Sequence, residues 1–324
     1  MKLSRIAFRN IFRNTKRSIF SVAAIIVATA GVLFMFSYIH GIMSETESNA
    51  KVWVTGDIAI QNADYKKNER LNPLHYNLDI EHVENVLQEF PGIKAILPRL
   101  TFPSLIYDKT TTLNHAAFGL GMDLEKEEDY TKLSEHLIEG RMPQPGKKEA
   151  IIGASLAKKL NKKVDDKFTT FTQTMYRSQN GATYRITGIV NFPLPGLDAT
   201  TFIIPLDRAQ RLLKMKGKTK EILVFTESTV KEKELKEKLL LQLPEEEYFL
   251  KIWFEDEMIA LFAQAQSMYD IISFIFLILA ATVIMNTLMM VIFERIREIG
   301  TIGALGMKAR QIIRLFLTEG FFMS

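Results

Sequence analysis

Two stretches of the chain, 18–39 and 271–293, carry no charged residue, and each is flanked by ordinary charged sequence. Both exceed the ~18–20 apolar residues that cross a bilayer core of about 30 Å. The pattern therefore predicts transmembrane helices at 18–40 and 271–293. Between them, the segment 41–270 is long enough for a sizeable folded domain. Short β-branched or alternating stretches at 57–61, 101–107, 167–174, 184–190, 201–204 and 222–226 predict strands. Helical spacing appears at 80–90, 155–160, 207–213 and 230–243, with Pro and Gly at the joins. The expected fold class is a membrane protein with a mixed α/β (α+β) domain between its first and second spans.

The segment 245–299 has neither glycine nor proline, so the second span can run as one helix, extended outward by 255–271 as a stiff stalk. At 1.5 Å per residue that extension adds roughly 25 Å. The first helix can likewise extend through Gly41 toward Ala50, although its glycines weaken it. Short amphipathic linkers are the alternative in both places. Residues 312–324 read as the start of a third span, too short to cross, in a truncated version of a longer protein.

Charge decides orientation. Lys2, Arg5, Arg9, Arg13, Lys16 and Arg17 form a basic segment, 1–17, before the first run; Glu45 and Glu47 follow it. Glu255, Asp256, Glu257 and Asp270 precede the second run, and Arg295, Arg297, Lys308, Arg310 and Arg314 follow it. Both asymmetries place the N-terminus in the cytoplasm and 41–270 outside. Crowding of the basic residues at the membrane ends argues against nucleic acid as the reason for the net charge of +4. A cleaved signal peptide ending at Ala28-Thr29-Ala30 is disfavoured, because the apolar run continues to Tyr38, beyond the usual ~7–15 residues. With no cysteine in the chain, cysteine lipidation, disulfides and thiolate metal sites are excluded.

Within the spans, Ala24, Ala28 and Gly31 share one helix face, as do Ser273, Ala280 and Thr287. Such small-residue faces let a second helix approach closely, and Asn286 would seek a hydrogen bond across that interface. A headgroup position for Asn286 is the alternative. After the second span, Ile296, Ile299 and Ile302 form an apolar ridge flanked by Arg295, Arg297 and Glu298. Gly300, Gly303 and Gly306 would then turn the backbone. A ridge with charged flanks suits a groove on a partner, and equally a juxtamembrane anchor on lipid phosphates.

The chain has no G-x-x-x-x-G-K-[ST] phosphate loop, so it is not expected to hydrolyse ATP by that route. Gly153-Ala154-Ser155-Leu156-Ala157 lacks the last glycine of a nucleophile elbow, and Ser155 reads as a helix N-cap. The five histidines show no metal-ligand spacing. Two outer loops offer contacts to a substrate or partner: Met175 and Tyr176 in an expected hairpin over 172–182 turning at Asn180-Gly181, and Phe192, Pro193, Leu194 and Pro195 in the loop 191–197. Plain connectors explain both loops at least as well.

Glu294-Arg-Ile-Arg-Glu-Ile-Gly300-Thr-Ile-Gly303-Ala-Leu305-Gly306 resembles the "ER-x-REIG…ALG" segment of the FtsX/MacB-like ABC permease family, which includes the LolC/LolE type. Glu139-Gly140-Arg141, Glu149-Ala-Ile-Ile-Gly153 with Leu156-Ala157, 184–190, and Pro205-Leu206-Asp207-Arg208-Ala209-Gln210 follow the order of that family's periplasmic core. The resemblance implies four spans, a bacterial inner-membrane location and a homo- or hetero-dimeric permease. It also implies a separate cytoplasmic ATPase dimer, which carries ATP and Mg, coupled through 294–311. It implies work on a lipoprotein or peptide outside the membrane, with no cofactor on this chain. Relatives that hand lipoproteins to a carrier chaperone use a proline-bearing hook; the hairpin here has no proline. MacB-like efflux and FtsX-like activation of a cell-wall hydrolase are the nearest alternatives. A two-span anchored binding or sensor protein is the alternative from another class.

Overall fold

The computed structural model describes residues 15–68, 72–107, 114–294 and 296–313. Arg295, most of the basic segment 1–17 and most of the expected third span lie outside the described residues. The chain divides into two compact units, Glu45–Leu261 and the remainder, Met1–Ser44 with Phe262–Ser324.

Among the described residues the first unit carries twelve strands: β1 (Ile58–Asn62), β2 (Leu78–Asp79), β3 (Ile93–Tyr107), β4 (Asn114–Met122), β5 (Leu137–Gly140), β6 (Glu149–Gly153), β7 (Lys167–Gln173), β8 (Gln179–Val190), β9 (Thr201–Pro205), β10 (Lys218–Thr219), β11 (Glu221–Thr226) and β12 (Tyr248–Ile252). Strands β2 and β10 form a ladder of their own; the other ten form one sheet in the order β12-β1-β11-β3-β4-β9-β6-β8-β5. Strand β7 pairs with both β3 and β8. The strands β3, β4, β9, β6, β8 and β7 therefore close on themselves, which removes exposed edges there. The β4–β9 and β6–β8 pairs are parallel and the rest antiparallel, and helices between the strands make this unit the mixed α/β domain expected from the pattern.

Phe102, Phe168, Tyr184 and Phe202 fill one core cluster, joined by Ala209, Leu212 and Leu213 from the helix Leu206–Leu213. Phe168 and Phe202 meet edge to face at 5.2 Å. Strand β4 passes this cluster only because it carries glycine. A Cβ at Gly119 would lie 2.2 Å from the Phe102 ring, and one at Gly121 would lie 2.2 Å from the Ala209 Cβ. A second cluster packs Val83 and Leu87 of the helix Ile80–Gln88, and Leu235 and Leu239 of the helix Glu232–Leu239, against Ile58, Ile60, Ile222 and Val224. A third gathers Trp53, Leu120, Leu133, Ile151, Phe192, Leu194 and Ile203.

Two helices are long. The helix α1 spans Thr15–Ala50 without interruption, through Gly31 and Gly41, and a second spans Glu257–Glu294. Each continues beyond its uncharged run, the first to Ala50 and the second from Glu257. In the second unit their apolar side chains are exposed, among them Val27, Phe34, Ile271 and Phe274. Among the described residues no helix is long and apolar enough to cross a membrane. The uncharged run 271–293 does lie inside the second helix, but the side chains of 283, 284, 287, 288 and 290–292 are outside the described set. The unbroken apolar length is thus a property of the sequence. Within this unit, His40 Nε2 lies 3.9 Å from Asp270 Oδ1.

Candidate functional site

Within the Glu45–Leu261 unit, the end of α1 and the start of the helix Glu257–Glu294 lie among buried charges. After Ala50 the helix widens into a π-helical turn, Lys51–Thr55, and ends at Gly56, whose φ of 62° few other residues adopt. A helix end leaves carbonyls without partners. Arg99, in the middle of β3, supplies them: Nη1 donates to the Trp53 carbonyl at 2.6 Å and Nη2 to that of Val52 at 3.1 Å. The same guanidinium grips Glu127 bidentately, Nε to Oε1 at 2.6 Å and Nη2 to Oε2 at 2.7 Å. Both side chains are almost wholly buried, at 2% and 1% exposure. Glu127 comes from the helix Leu124–Thr131, capped by Asp123. A cation at a helix C-terminus is favoured by the dipole, and a buried pair is tolerable only when hydrogen-bonded this fully. The Trp53 ring adds edge-on contact with Phe192 at 5.3 Å.

The second helix begins beside the end of the first. Lys51 Nζ lies 2.5 Å from Asp57 Oδ1, 3.9 Å from Glu232, and 5.1 Å above the Trp253 ring. Asp57 Oδ2 accepts from the Thr226 amide and hydroxyl, and its carbonyl accepts from the Trp253 N–H at 3.0 Å. The 3-10 turn Trp253–Glu255 then leads into the helix Glu257–Glu294. Burial pushes the Glu255 carboxyl up, but hydrogen bonds from Lys236 and the Ile252 N–H more than offset that and leave it below the usual carboxylate range. Lys251 pairs with Asp256 next to it. The ends of both helices are thus tied to the sheet and, through Lys51 and Asp57, to each other.

Sequence reasoning missed Lys51, Asp57, Arg99 and Glu127. The available signal was a lone arginine in the apolar stretch around β3; its partner is 28 residues away, beyond any local pattern.

The sequence-predicted residues fall elsewhere. The segment after the second long helix forms the helix Ile296–Ala304, which carries Arg297, Glu298 and Ile299; Glu294 ends the preceding helix. Gly300 and Gly303 do not turn the backbone as expected, because both are helical with open space around them. The turn comes at Gly306, at φ 90°. Ile296 and Leu305 are exposed. Gly31 also has open space around it and Asn286 is exposed; Ser273 and Ala280 are half-buried, and the side chains of Ala24, Ala28 and Thr287 are not described.

The outer loops need correction. The hairpin of β7 and β8 turns at Thr174–Ser178, with Gln173 opposite Gln179 and the Thr174 N–H bonded to the Ser178 carbonyl. Asn180-Gly181 lies within β8, and Gly181 is there because a Cβ would come 2.7 Å from the Phe171 ring. Tyr176 is exposed at the tip, whereas Met175 packs against the core. In 191–197, Phe192 and Leu194 are buried, Pro193 is half-buried, and Pro195 starts the short helix Pro195–Thr200. Core packing rather than partner contact accounts for that loop's apolar character. Ser155 is no N-cap: Gly153 holds that position, and Asp198 accepts from the Ala154 and Ser155 amides at 3.0 and 2.9 Å.

The MacB-like periplasmic core domain family matches residues 18–240, and the FtsX-like permease C-terminal family matches 271–324. No curated protein matches the sequence. The periplasmic region of MacB from Actinobacillus actinomycetemcomitans is 16% identical at a TM-score of 0.45, over 63% of this chain and 92% of that one. The extracellular domain of the noncanonic ABC-type transporter YknZ from Gram-positive bacteria is 15% identical at 0.41, over 60% and 98%. A domain of a permease protein from Porphyromonas gingivalis is 18% identical at 0.37, over 52% and 81%.

Proposed function

The chain belongs to the MacB/FtsX-like ABC permease family, and on that premise we propose that it is a permease subunit that transmits force, driven by a separate cytoplasmic ATPase, from the inner membrane to an extracytoplasmic domain. The observation that carries this reading is the double anchorage of the long helices. A push along α1 reaches the sheet through Arg99 and Glu127, and one along the helix Glu257–Glu294 reaches it through Trp253 and Asp57. Rigid helices with hydrogen-bonded ends transmit displacement, whereas flexible linkers would absorb it.

In this reading 18–40 and 271–293 span the bilayer, and the small-residue faces with Asn286 meet another permease copy. The segment 294–311 docks on the ATPase through Ile296, Ile299 and the charges beside them. Lipoprotein release from the inner membrane is the cargo reading tested first, ahead of MacB-like efflux of peptides or amphiphiles. The proline-free tip at Thr174–Ser178 gives carrier-chaperone docking no support.

The test is affinity capture of the full-length protein, with and without the Glu298→Ala plus Ile299→Ala pair. Capture of an ATPase dimer that the double substitution releases or uncouples is the expected result. Failure to recover any ATPase while the protein stays folded would favour the two-span anchored binding or sensor protein.

A further inference from the structure

Beside the junction of the long helices lies a cavity of about 210 Å³, lined by residues of the sheet, of the π-helical turn and of the Pro195–Thr200 helix. Its floor is a cross-strand row. Gln61 of β1 stands opposite Glu221 of β11, which stands opposite Arg99 of β3. Trp53, Leu120 and Leu197 are among its apolar lining.

The polar lining is unevenly satisfied. Arg99 is held by Glu127 and two carbonyls, Lys251 is paired with Asp256, and Lys220 lies over the Tyr65 ring at 5.1 Å. Glu221, by contrast, receives only neutral donors among the described residues, the Gln61 amide at 3.1 Å and the Thr101 hydroxyl at 3.3 Å. The Gln61–Glu221 bond fixes the orientation of the Gln61 amide, since only its nitrogen can donate to a carboxylate. Among the described residues its oxygen is left without a partner, Gln61 being 4% exposed, and the Thr201 hydroxyl, in a residue 2% exposed, is also unpartnered. Buried polar atoms of this kind mark a place where a group from elsewhere completes the hydrogen bonding.

We propose that this cavity binds a small organic cation, an ammonium head on a compact apolar body. The head would donate to Glu221 and the Gln61 oxygen, and the body would lie among Trp53, Leu120 and Leu197. Cavities of about 150 Å³ accept a benzene ring, so an aryl-methylammonium is within the available size. The proposal is independent of the transport reading.

The probe is 4-fluorobenzylammonium, followed by 19F line broadening with the full chain in nanodiscs, with empty nanodiscs and unlabelled benzylammonium as controls. Saturable, competable broadening is expected. Glu221→Gln should weaken it by about tenfold or more, as loss of a charged hydrogen bond does, and 4-fluorobenzyl alcohol should bind correspondingly less well. Leu120→Trp, which fills the cavity, should abolish binding, and Leu241→Ala, at an exposed side chain outside it, should leave binding intact. No saturable broadening, equal binding of the alcohol, or undiminished binding in both Glu221→Gln and Leu120→Trp would overturn the proposal and leave the cavity to ordered water.

Discussion

Arg99 and Glu127 meet in a two-point contact at 2.6 and 2.7 Å, while the remaining guanidinium nitrogen holds the Trp53 carbonyl. One side chain therefore closes the end of α1 and joins it to the sheet. Removing one partner strands a buried charge, so Glu127→Gln should lower stability by about 3–5 kcal/mol. The double change Arg99→Met with Glu127→Leu should recover part of that loss. It should remain roughly 1–3 kcal/mol below the starting protein, because the Val52 and Trp53 carbonyls lose their donor. Denaturant unfolding followed by tryptophan fluorescence would measure both. Equal stability of the double variant and the natural chain would show that the carbonyl contacts contribute nothing.

Asp198 does the capping that a local reading assigns to Ser155. Its carboxylate accepts from the amides of Ala154, Ser155 and Phe192, and it is 5% exposed. Asp198→Ala leaves those donors buried without partners and should cost about 2–4 kcal/mol. Ser155→Ala should change stability by less than about 0.5 kcal/mol. The reverse order of effects in thermal unfolding would refute the assignment.

These cases show which parts of the fold the sequence makes legible. The helices expected at 155–160 and 207–213 lie close to Ala154–Leu160 and Leu206–Leu213, because period and breakers are local properties. Strand β4 was not foreseen: its glycines lower strand propensity, and the reason for them, room for Phe102 and Ala209, is visible only in three dimensions. Asn180-Gly181 is a strong hairpin signal, yet Gly181 answers to Phe171 across the ladder instead. The Gly140 of the Glu-Gly-Arg motif has φ 90°, and a Cβ there would lie 2.1 Å from the Thr187 carbonyl. The family motif marks a backbone requirement at that point. The junction of the long helices stayed hidden because each of its charges finds its partner on another element.

Arg141, next to that glycine, reaches Glu149 with two hydrogen bonds, at 2.9 and 2.7 Å. Those bonds outweigh burial, and with the Gln144 N–H they hold the Glu149 carboxyl down at about 2, against an ordinary 4.5. A depressed carboxylate contributes stability that is fully present above its unfolded value and lost as pH falls through the folded one. Stability should therefore decline between pH ~4.5 and ~2 through this group. Glu149→Gln should flatten that slope while costing on the order of 1–2 kcal/mol at pH 7, a modest figure because Arg141 is half exposed. Unfolding midpoints collected from pH 7 to 2 would show it; an unchanged acid slope in the variant would rule the pair out as its source.

Lys51 offers the sharpest separation of a mechanical role from a merely structural one. It is 31% exposed, so its contacts with Asp57 and the Trp253 ring are partly screened. Asp57 keeps its two hydrogen bonds from Thr226 when the lysine is lost. Lys51→Met should consequently cost only roughly 1–2 kcal/mol of stability. If force passes between the helix ends through this residue, the same change should uncouple ATP hydrolysis by the partner from movement of the outer domain, read as a change in distance between spin labels on β12 of two permease copies. Lys51→Arg, which keeps the charge and can still stack on Trp253, should restore that movement. A Lys51→Met protein that moves normally on ATP addition would show that the link only stabilises the junction, and transmission would then rest on Arg99 and the Trp253 N–H alone.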